Sequence, residues 1–431
     1  MTQPAFPAVS SSLAVVGDVF SAQEVETAAA GVCGDPGTAR RTTGASDSIE
    51  KIEPYLIDYG ITRVAHVTHL DRVGIPVHTA LKPFGTSLSN GSGKGLTEEA
   101  SKIGAMMEAI EQTYWEESTV EAIEMTQNDL ARNGVLAVNG DNLARIKGSI
   151  WNHDLPVHWA PMYDLVSGEE MFVPTEAFEI AKPRLGIPTF MISTNGLASG
   201  NNVFEAILSG LTEVIERDAV AMFTVGGAGQ TFADALDLDQ LATSFGSPFI
   251  DLRETIDRAD LQLMVFDATH ELEVPTYRAF VHDLGVSRAG VFGGYGTNLD
   301  PAVALCRAVT EAVQSRGLII SGSRDDQFGS GRDASLLHSN HYAAPDPGAQ
   351  PVTVRPDRTG KSILEDIELL TALLAGAGMD QVMIHRYSDE SDPAQVVRVT
   401  VPGLEGYRFP YYSPGPRAQR ALAAMEGDNR E

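Results

Sequence analysis

Three stretches of the sequence repeat one plan, in which a glycine-rich turn is followed by an apolar helix that carries acidic residues. They read GSGKGLTEEASKIGAMMEAIEQ, GLASGNNVFEAILSGLTEVIERD and GGYGTNLDPAVALCRAVTEAVQSR. The spacing also recurs, because Glu108 lies 13 residues after Gly95 and Glu213 lies 13 residues after Gly200. The pattern predicts three similar acidic helices within one fold.

The acidic residues of these helices stand three positions apart and therefore share a helix face. They are Glu108 and Glu111, Glu213 and Glu216, and Glu311, which Gln314 follows. Neighbouring carboxylates repel by about a few tenths of a kcal/mol, and a basic residue four positions on is the simplest relief. Only Glu213 has such a partner, Arg217. Carboxylates removed from water must be protonated, paired or bound to cations, so the pattern favours a divalent metal.

Magnesium suits this donor set, because Mg²⁺ takes hard oxygen ligands and is usually held by a few carboxylates plus nucleotide phosphates. Arg217, Arg307 and Arg316 stand close to the glutamates in the sequence and can face phosphate oxygens. Lys94, in SLSNGSGKGLT, is a further candidate phosphate contact, and N–H groups at helix N-termini bind anions. This stretch is not a P-loop, since Gly95 follows the lysine where Ser or Thr is required. The residues alone predict a Mg–nucleotide cradle.

The charge of the chain limits its partners. Its 431 residues include 58 Asp or Glu and 31 Lys or Arg, which gives a formal net charge of −27. No basic stripe is present, so we expect neither nucleic acid nor an anionic membrane surface as a partner. No apolar run approaches the roughly 20 residues that span a bilayer, and the first residues do not resemble a secretion signal. Cys33 and Cys306 cannot build a disulfide framework, and a cytoplasmic protein is expected.

Helical and strand patterns are interspersed, which predicts an α/β (α+β) fold with the acidic helices packed on β-sheet. A helix is expected over 49–59, and strands over 63–67, 75–81, 158–162, 262–268, 276–281 and 396–401. Residues 1–36 are predicted to form an irregular N-terminal arm, and residues 37–431 a single domain. The Pro-, Asp- and Gly-rich stretch 343–362 is predicted to be a loop or an insertion.

The sequence resembles the YcaO family in segments that follow the family's order. These are THLDRVGIPVHTALKP, SGKGLTEEASKIGAMMEAIE, GLASGNNVFEAILSGLTEVIERDAV and DPAVALCRAVTEAVQSRGLIISGSRDD. The resemblance runs from residue 37 to 418. It implies the family's own α/β fold, in which ATP and Mg²⁺ bind among acidic helices.

The family's nucleotide signature reads SxxxExxER, QxxxExxER and RxxxE. Its elements match, in this sequence, Gly104, Glu108 and Glu111, then Ser209, Glu213, Glu216 and Arg217, and finally Arg307 and Glu311. The resemblance implies the five glutamates as metal ligands, and it implies catalytic roles for Glu213, Glu216, Glu311 and Arg307. Gly104, Gln112 and Ser209 depart from the signature.

Further nucleotide contacts follow from the resemblance. Arg41 and Ser48 have the spacing of a basic residue and a hydroxyl that touch nucleotide in the family, with Arg40 as the alternative to Arg41. Asn202, in the turn before the second acidic helix, is assigned to the same role, as are Lys94 and Arg316.

The resemblance implies an enzyme that phosphorylates a backbone amide oxygen of a ribosomally made precursor peptide. Cyclodehydration to an azoline, thiazoline or amidine is the expected outcome, and thioamidation with a TfuA-like partner is the alternative. The chain ends SPGPRAQRALAAMEGDNRE, without the proline-rich tail that is common in azoline-forming members. A leader-binding partner protein and a homodimer are also expected possibilities. A non-catalytic, nucleotide-binding accessory role stays open.

Other polar residues are given structural roles. His66, His69 and His78 lie in or beside predicted strands, with contact to the peptide as the alternative. His338 and His341 share a helix face but have no evident third metal ligand, so a surface or packing role is expected. The run 321–326, SGSRDD, is either a polar turn or a phosphate-facing loop, and Cys306 is interpreted as a small core residue.

Overall fold

Helices and strands are interspersed along the chain, and the computed structural model describes residues 19–33, 37–179, 188–225, 234–283, 291–322, 350–406 and 412–428. Within these ranges the α-helices are α1 (Ala22–Ala29), α2 (Ala45–Ile52), α3 (Glu98–Glu117), α4 (Gln127–Arg132), α5 (Val203–Val225), α6 (Leu238–Phe245), α7 (Phe249–Arg258), α8 (Pro301–Ser321), α9 (Ile363–Gly376) and α10 (Pro416–Asp428). The strands are β1 (Arg63–His66), β2 (Val77–Leu81), β3 (Asn90–Lys94), β4 (Ile123–Met125), β5 (Arg145–Ile146), β6 (Val157–Asp164), β7 (Glu170–Pro174), β8 (Leu197–Gly200), β9 (Gln262–Asp267), β10 (Thr276–His282), β11 (Val291–Thr297), β12 (Met383–Arg386), β13 (Gln395–Thr400) and β14 (Tyr412–Ser413). The predicted mixed α/β class is confirmed.

The strands are divided among several antiparallel sheets. One sheet has the order β1-β2-β3 and a second the order β11-β10-β9. The largest has the order β4-β6-β12-β13-β8, with β7 also paired to β6, and β14 pairs with β5. Strands β3, β8 and β11 each stand at one end of their sheet. In each of the three larger sheets, one end strand is therefore free to pack against the helix that follows that strand in the sequence.

The three acidic helices follow these end strands, since β3 precedes α3, β8 precedes α5 and β11 precedes α8. The glycine-rich segments, predicted to be turns, are therefore largely strands, which corrects that prediction. The physical reason is close packing of each helix on its strand. A Cβ atom at Gly93 would lie 1.9 Å from the carbonyl oxygen of Ser101 in α3, and one at Gly294 would lie 2.3 Å from that of Ala308 in α8.

The three strand–helix units close into a ring. Each helix packs on its own strand and also contacts the strand of another unit: α3 contacts β8, α5 contacts β11 and α8 contacts β3. The apolar sides of the helices enter separate clusters outside the ring. Helix α5 packs with α9 and β13, α8 with α7 and the β9–β11 sheet, and α3 with β2 and α2. Because burial fixes the apolar sides outward, the polar sides turn towards the centre of the ring.

Most of the predicted elements are present. The six predicted strands agree to within two residues at every boundary with β1, β2, β6, β9, β10 and β13. The helix predicted over 49–59 is instead α2, and it gives way to a 3-10 turn over Glu53–Tyr55. Pro54 explains the early end, because proline has no N–H group to continue the helical hydrogen bonds.

Two segments are predicted to be irregular, and the structure of only one of them agrees. Helix α1 lies inside the arm predicted to be irregular, and a capping box between Ser21 and Glu24 starts it. The part of the predicted loop that the structure describes, 350–362, contains no helix or paired strand beyond a single bridge at Gln350. The division into an arm and one domain stays a prediction. No described helix is both long and apolar enough to cross a bilayer.

The histidines beside the strands pack against one another. The rings of His66 and His78 are stacked with centroids 4.5 Å apart, and the Nδ1 atom of His78 lies 2.7 Å from the Oγ atom of Ser101. This agrees with the structural role expected for them. His338, His341 and residues 323–326 lie outside the described residues.

Candidate active site

A cavity of about 1530 Å³ opens at the centre of the ring, and the glutamates of the three repeats line it. They come from α3 (Glu108 and Glu111), α5 (Glu213 and Glu216) and α8 (Glu311). Lys94, Arg217 and Arg307 line the same cavity. The structure thus brings together the residues that the repeat singled out.

Serines of the end strands hold the two glutamates of α3. The backbone N–H of Ser92, in β3, donates to Glu108 Oε2 at 2.5 Å. The hydroxyl of Ser199, in β8, donates to Glu111 Oε1 at 2.6 Å. Helix α3 is therefore fixed between two different sheets by the carboxylates that it presents to the cavity.

The glutamates of α5 share one guanidinium. Arg217 lies 3.7 Å from Glu213, four positions earlier, and 3.3 Å from Glu216. The side chain of Glu213 is 28% exposed to the cavity, whereas that of Glu216 is 6% exposed. The one basic partner predicted at helical spacing is therefore present, and it serves two carboxylates.

The carboxylate of Glu311 is paired with a residue of a different unit. Lys94 Nζ, at the end of β3, lies 2.6 Å from Glu311 Oε2 in α8. Arg307 stands one turn earlier in α8, and its Nε atom is buried without a hydrogen-bond partner among the residues that the structure describes. Such a donor in an acidic cavity is available to an anionic ligand.

Burial dominates the electrostatics of the carboxylates. It raises the pKa of Glu111 to about 8, and the negative charges of Glu108 and Glu213 add to the shift. Burial also raises the pKa of Glu108, Glu213 and Glu216, although Ser92 or Arg217 opposes the change. For Glu311 burial acts in the same direction, but Lys94, Arg217 and Arg307 outweigh it and hold its pKa below the ordinary value.

The donor set fits a divalent cation. Within the described ranges, no group of three or more His, Cys, Asp or Glu side chains is already gathered around one point as a metal site. The five carboxylates nevertheless offer hard oxygen ligands in a single cavity, which is the chemistry that Mg²⁺ prefers. The raised pKa values of Glu108, Glu111, Glu213 and Glu216 are consistent with too little positive charge around these four carboxylates.

The same cavity includes most of the predicted nucleotide contacts. Arg41, Ser48, Gly104 and Ser209 line it, and Arg41 Nη1 donates to Ser209 Oγ at 2.9 Å. Arg40 lines the cavity as well, but its guanidinium pairs with Asp366 at 2.7 Å. Arg41 therefore contacts a residue at a position of the family signature, whereas Arg40 contacts a residue of α9.

Two predicted contacts lie elsewhere. Arg316 does not line the cavity; it is buried and pairs with Asp71 at 2.9 Å and with Asp283 at 3.3 Å. The reason is helical geometry, because nine positions separate it from Arg307 and turn it to about the opposite face of α8. Asn202 is not among the residues that line the cavity, and its side-chain amide donates to Thr42 Oγ1 at 2.9 Å.

Sequence reasoning missed Glu205, which is 1% exposed and lines the cavity. It accepts from the backbone N–H of Thr42 at 2.6 Å and from that of Asn201 at 2.9 Å, and it lies 3.8 Å from Arg41. An acid in the first turn of a helix is ordinarily explained by the helix dipole, which hid the signal. Ser92 and Ser199 were also missed, although each precedes a glycine of the repeat.

Comparison with known proteins adds independent findings. A family model described as YcaO cyclodehydratase, ATP- and Mg²⁺-binding, matches residues 92–405. A protein of Rhizobium leguminosarum bv. trifolii, described as an uncharacterized protein in the tfuA 3′ region, is 32% identical over 377 residues. The match covers 85% of this chain and 88% of that protein.

Two solved structures share the fold. A heterocyclase in complex with substrate and cofactor superimposes with a TM-score of 0.74 at 23% identity, over 93% of this chain and 57% of the heterocyclase. YcaO from Methanopyrus kandleri, bound with AMPPCP and Mg²⁺, superimposes with a TM-score of 0.65 at 22% identity, over 87% of this chain and 94% of that protein. Because the family model covers most of the chain and agrees with the fold, this protein belongs to the YcaO family and is an ATP- and Mg²⁺-binding enzyme of the YcaO cyclodehydratase type.

Proposed function

We propose that this enzyme phosphorylates a backbone amide oxygen of a ribosomally made peptide, and that cyclodehydration to an azoline, thiazoline or amidine follows. One observation carries the proposal: five glutamates from three helices line one cavity together with Lys94, Arg217 and Arg307. The carboxylates suit metal ions, and the basic groups beside them suit phosphates. A YcaO enzyme with this cavity has the parts that phosphoryl transfer requires.

The proposed reaction balances as follows. A nucleophile of the peptide, either a Cys, Ser or Thr side chain or an amine, adds to the amide carbon and loses its proton, and the carbonyl electron pair moves onto oxygen. That oxygen attacks the γ-phosphorus of ATP, and the bond to the β-phosphate oxygen breaks to release ADP. The former amide oxygen then leaves with phosphate as nitrogen loses its proton and forms a C=N bond. The peptide loses the elements of one water.

The chain's own residues have positioning and electrostatic roles in this proposal. The five glutamates hold Mg²⁺, which supplies neutralisation of the phosphate charge when it is bound. Arg217 and Arg307 donate to phosphate oxygens, and Lys94 exchanges its carboxylate partner for a phosphate. Arg41, Ser48, Gly104 and Ser209 form the nucleotide side of the cavity. Phosphoryl transfer depends mainly on such positioning and charge neutralisation, so no covalent role for the protein is needed.

A second candidate is backbone thioamidation, in which sulfide is the nucleophile and sulfur replaces the amide oxygen. The relative from Rhizobium leguminosarum favours it, because that protein is described by its place in the tfuA 3′ region. A TfuA-like protein would then be a partner, beside the precursor peptide that both candidates require. A leader-binding protein is the corresponding partner for cyclodehydration, and a homodimer remains an expectation.

Mass spectrometry of the precursor peptide encoded beside this gene separates the candidates. The peptide is incubated with the purified protein, Mg²⁺ and ATP, and ADP release is followed in parallel. Loss of one water per modified site supports cyclodehydration. Exchange of oxygen for sulfur, only after sulfide and a TfuA-like protein are added, supports thioamidation. Absence of peptide-dependent ADP release under every condition contradicts both and leaves the accessory role.

A further inference from the structure

The cavity continues beyond the glutamates along α8. Its wall there includes Gln314, Ser315, Leu318 and Ile319, so it extends about 12 Å past Glu311 at the helical rise per residue. The whole cavity, at about 1530 Å³, is larger than the roughly 300–1,000 Å³ of a site for one small molecule. The far end of the cavity therefore has room for a second reactant beside a nucleotide.

Strand β11 and one arginine complete this far end, which we call the distal lobe. Its wall is formed by Arg278, Val291, Phe292, Gln314, Ser315 and Ile319. Helix α8 and strand β11 are in contact at this end, since the hydroxyl of Ser315 donates to the carbonyl oxygen of Gly293 at 3.0 Å. Much of the wall is apolar, so water is a poorer competitor for polar contacts there than at the open surface.

Arg278 reaches the cavity from the other side of the end strand β11, because it lies on the sheet face that is turned away from α8, the face that Val291 and Phe280 share. Its strand neighbours Tyr277 and Ala279 pack against α8, and alternation along β10 places Arg278 and Phe280 on the other face. The guanidinium carbon stands 4.3 Å from the ring centroid of Phe280 and 5.7 Å from that of Tyr295. Two aromatic rings therefore hold the guanidinium plane at the wall of the cavity.

The hydrogen-bonding groups of this guanidinium have no carboxylate to bind. The Nε atom of Arg278 is buried without a partner, and the described part of the chain forms no salt bridge with this residue. A stacked guanidinium keeps its donors in a planar fork that matches a carboxylate bidentately. An arginine in this state, in a chain of net charge −27, is available to a negatively charged group of a ligand.

The phosphates of ATP have other cations to bind. The cations whose charges act on the glutamates are Lys94, Arg217, Arg307 and Arg398. Lys94, Arg217 and Arg307 line the cavity among the carboxylates, where the metal and phosphates belong. Arg278 comes from β10, a strand that none of those residues shares.

We propose that Arg278 is a subsite for a carboxylate of the peptide substrate, provided by an Asp or Glu side chain near the amide that is modified. The inference rests on the proposed function, because it places the peptide in the distal lobe. The carboxylate binds the guanidinium fork while the reacting amide reaches back to the glutamates. Arg278 thereby selects acidic peptide segments and fixes their register.

Peptide binding in the presence of Mg²⁺ and AMPPCP tests this subsite without turnover. Two pools of short fluorescent peptides are compared, alike except that a central position holds Asp or Glu in one pool and Asn or Gln in the other. The wild-type enzyme is expected to bind the acidic pool about ten-fold more tightly, as a hydrogen-bonded charge pair allows. Arg278→Met is expected to lose this preference, and Arg278→Lys to keep only part of it.

The controls separate the subsite from a general effect of charge. Arg253→Met removes an arginine of α7 that pairs with Asp239 of α6, outside the cavity, and this variant is expected to keep the preference. The affinity of Arg278→Met for Mg²⁺ and AMPPCP alone is expected to equal that of the wild type. That equality also shows that the variant is folded.

Equal binding of both peptide pools by the wild type would overturn the subsite, and so would a preference for the acidic pool that survives in Arg278→Met. A weaker affinity of that variant for Mg²⁺ and AMPPCP would overturn it as well, because it would assign Arg278 to phosphate. The proposed function fails by a different result. A wild-type protein that binds Mg²⁺ and AMPPCP but never releases ADP in response to the precursor peptide contradicts that function, whatever the preference between pools.

Discussion

The Nζ atom of Lys94 lies 2.6 Å from the Oε2 atom of Glu311, and this ion pair joins β3 to α8 across 217 residues of sequence. It connects the first strand–helix unit to the third and so closes the ring beside the glutamates that line the cavity. It also neutralises the one glutamate of the cluster whose pKa is held below its ordinary value. Lys94 is therefore placed to move between a carboxylate and a phosphate.

Replacing this lysine is expected to weaken nucleotide binding. Lys94→Met removes a charged hydrogen bond to phosphate and leaves Glu311 without its ion pair, so we expect the Kd for Mg²⁺ and AMPPCP to rise about ten-fold or more. Calorimetric titration measures it. Lys102→Met is the control, because Lys102 pairs with Glu53 on the outside of α3 at 3.0 Å. Equal affinities in both variants would show that Lys94 has no part in nucleotide binding.

The raised pKa of Glu111 makes stability depend on pH. Between the ordinary value of 4.5 and the folded value of about 8, the folded state binds a proton that the unfolded state has released. The stability that this group contributes is therefore complete below pH 4.5 and is lost as the pH rises towards 8. In metal-free protein we expect Glu111→Gln to reduce the fall in Tm between about pH 5 and about pH 8.

Metal binding is expected to act against this loss. Because a metal binds the ionised carboxylates and displaces their protons, Mg²⁺ and AMPPCP should raise the Tm of the wild type more at about pH 8 than at about pH 5. Thermal unfolding with and without both ligands measures the difference. Parallel pH profiles for the wild type and Glu111→Gln, with no added effect of the ligands at high pH, would contradict this account of the cluster.

A buried ion pair joins helix α10 to helix α5, which carries Glu213 and Glu216. Arg417 Nη1 lies 2.6 Å from Asp218 Oδ1, and Asp218 is only 2% exposed. Arg417→Met leaves this carboxylate buried and short of charge, so we expect a loss of about 3–5 kcal/mol in the free energy of unfolding in urea. Arg420→Met, at an exposed position of the same helix, is expected to change it by less than about 0.5 kcal/mol. A loss of similar size in both variants would contradict the assignment.

The packing of β11 on α8 is tested by a pair of glycines. Gly294→Ala brings a Cβ atom 2.3 Å from the carbonyl oxygen of Ala308, so we expect about 1–3 kcal/mol of destabilisation from overpacking. Gly317→Ala, in α8 with open space at the Cβ position, is expected to be neutral or to stabilise by about 0.5–1 kcal/mol. Urea unfolding measures the change in the free energy of unfolding for both variants. A neutral Gly294→Ala would mean that strand and helix do not need a glycine there.

The sequence predicts the acidic cluster well, because its signal is local. Carboxylates three positions apart on apolar helices leave few physical explanations, and Glu108, Glu213 and Glu311 do line one cavity. The sequence also predicts the strands in which β-branched residues alternate. It does not predict the glycine-rich strands, because glycine has the same local preference for a turn whether or not a helix packs on it.

The remaining differences arise from contacts between distant parts of the chain. The sequence predicts a phosphate contact for Arg316 because it follows Glu311 closely. Its position on the helix instead turns it towards Asp71, 245 residues away. Glu205 was passed over because its partners, Thr42 and Arg41, lie in a segment with little periodicity. Arg278 has no local signal, since only the pairing of β10 with β11 brings it beside Tyr295.

Transfer of an oxygen isotope from peptide to phosphate tests the central claim most directly. The precursor peptide is labelled with ¹⁸O at its backbone carbonyls and incubated with the enzyme, Mg²⁺ and ATP, with the sulfide and TfuA-like protein added where thioamidation requires them. Phosphate is then analysed by mass spectrometry. The account predicts one ¹⁸O atom in phosphate for each modified site, and none with Glu213→Gln or Glu311→Gln, both of which should remain folded. Modified peptide accompanied by unlabelled phosphate would show that ATP does not activate the amide oxygen, and would contradict the account.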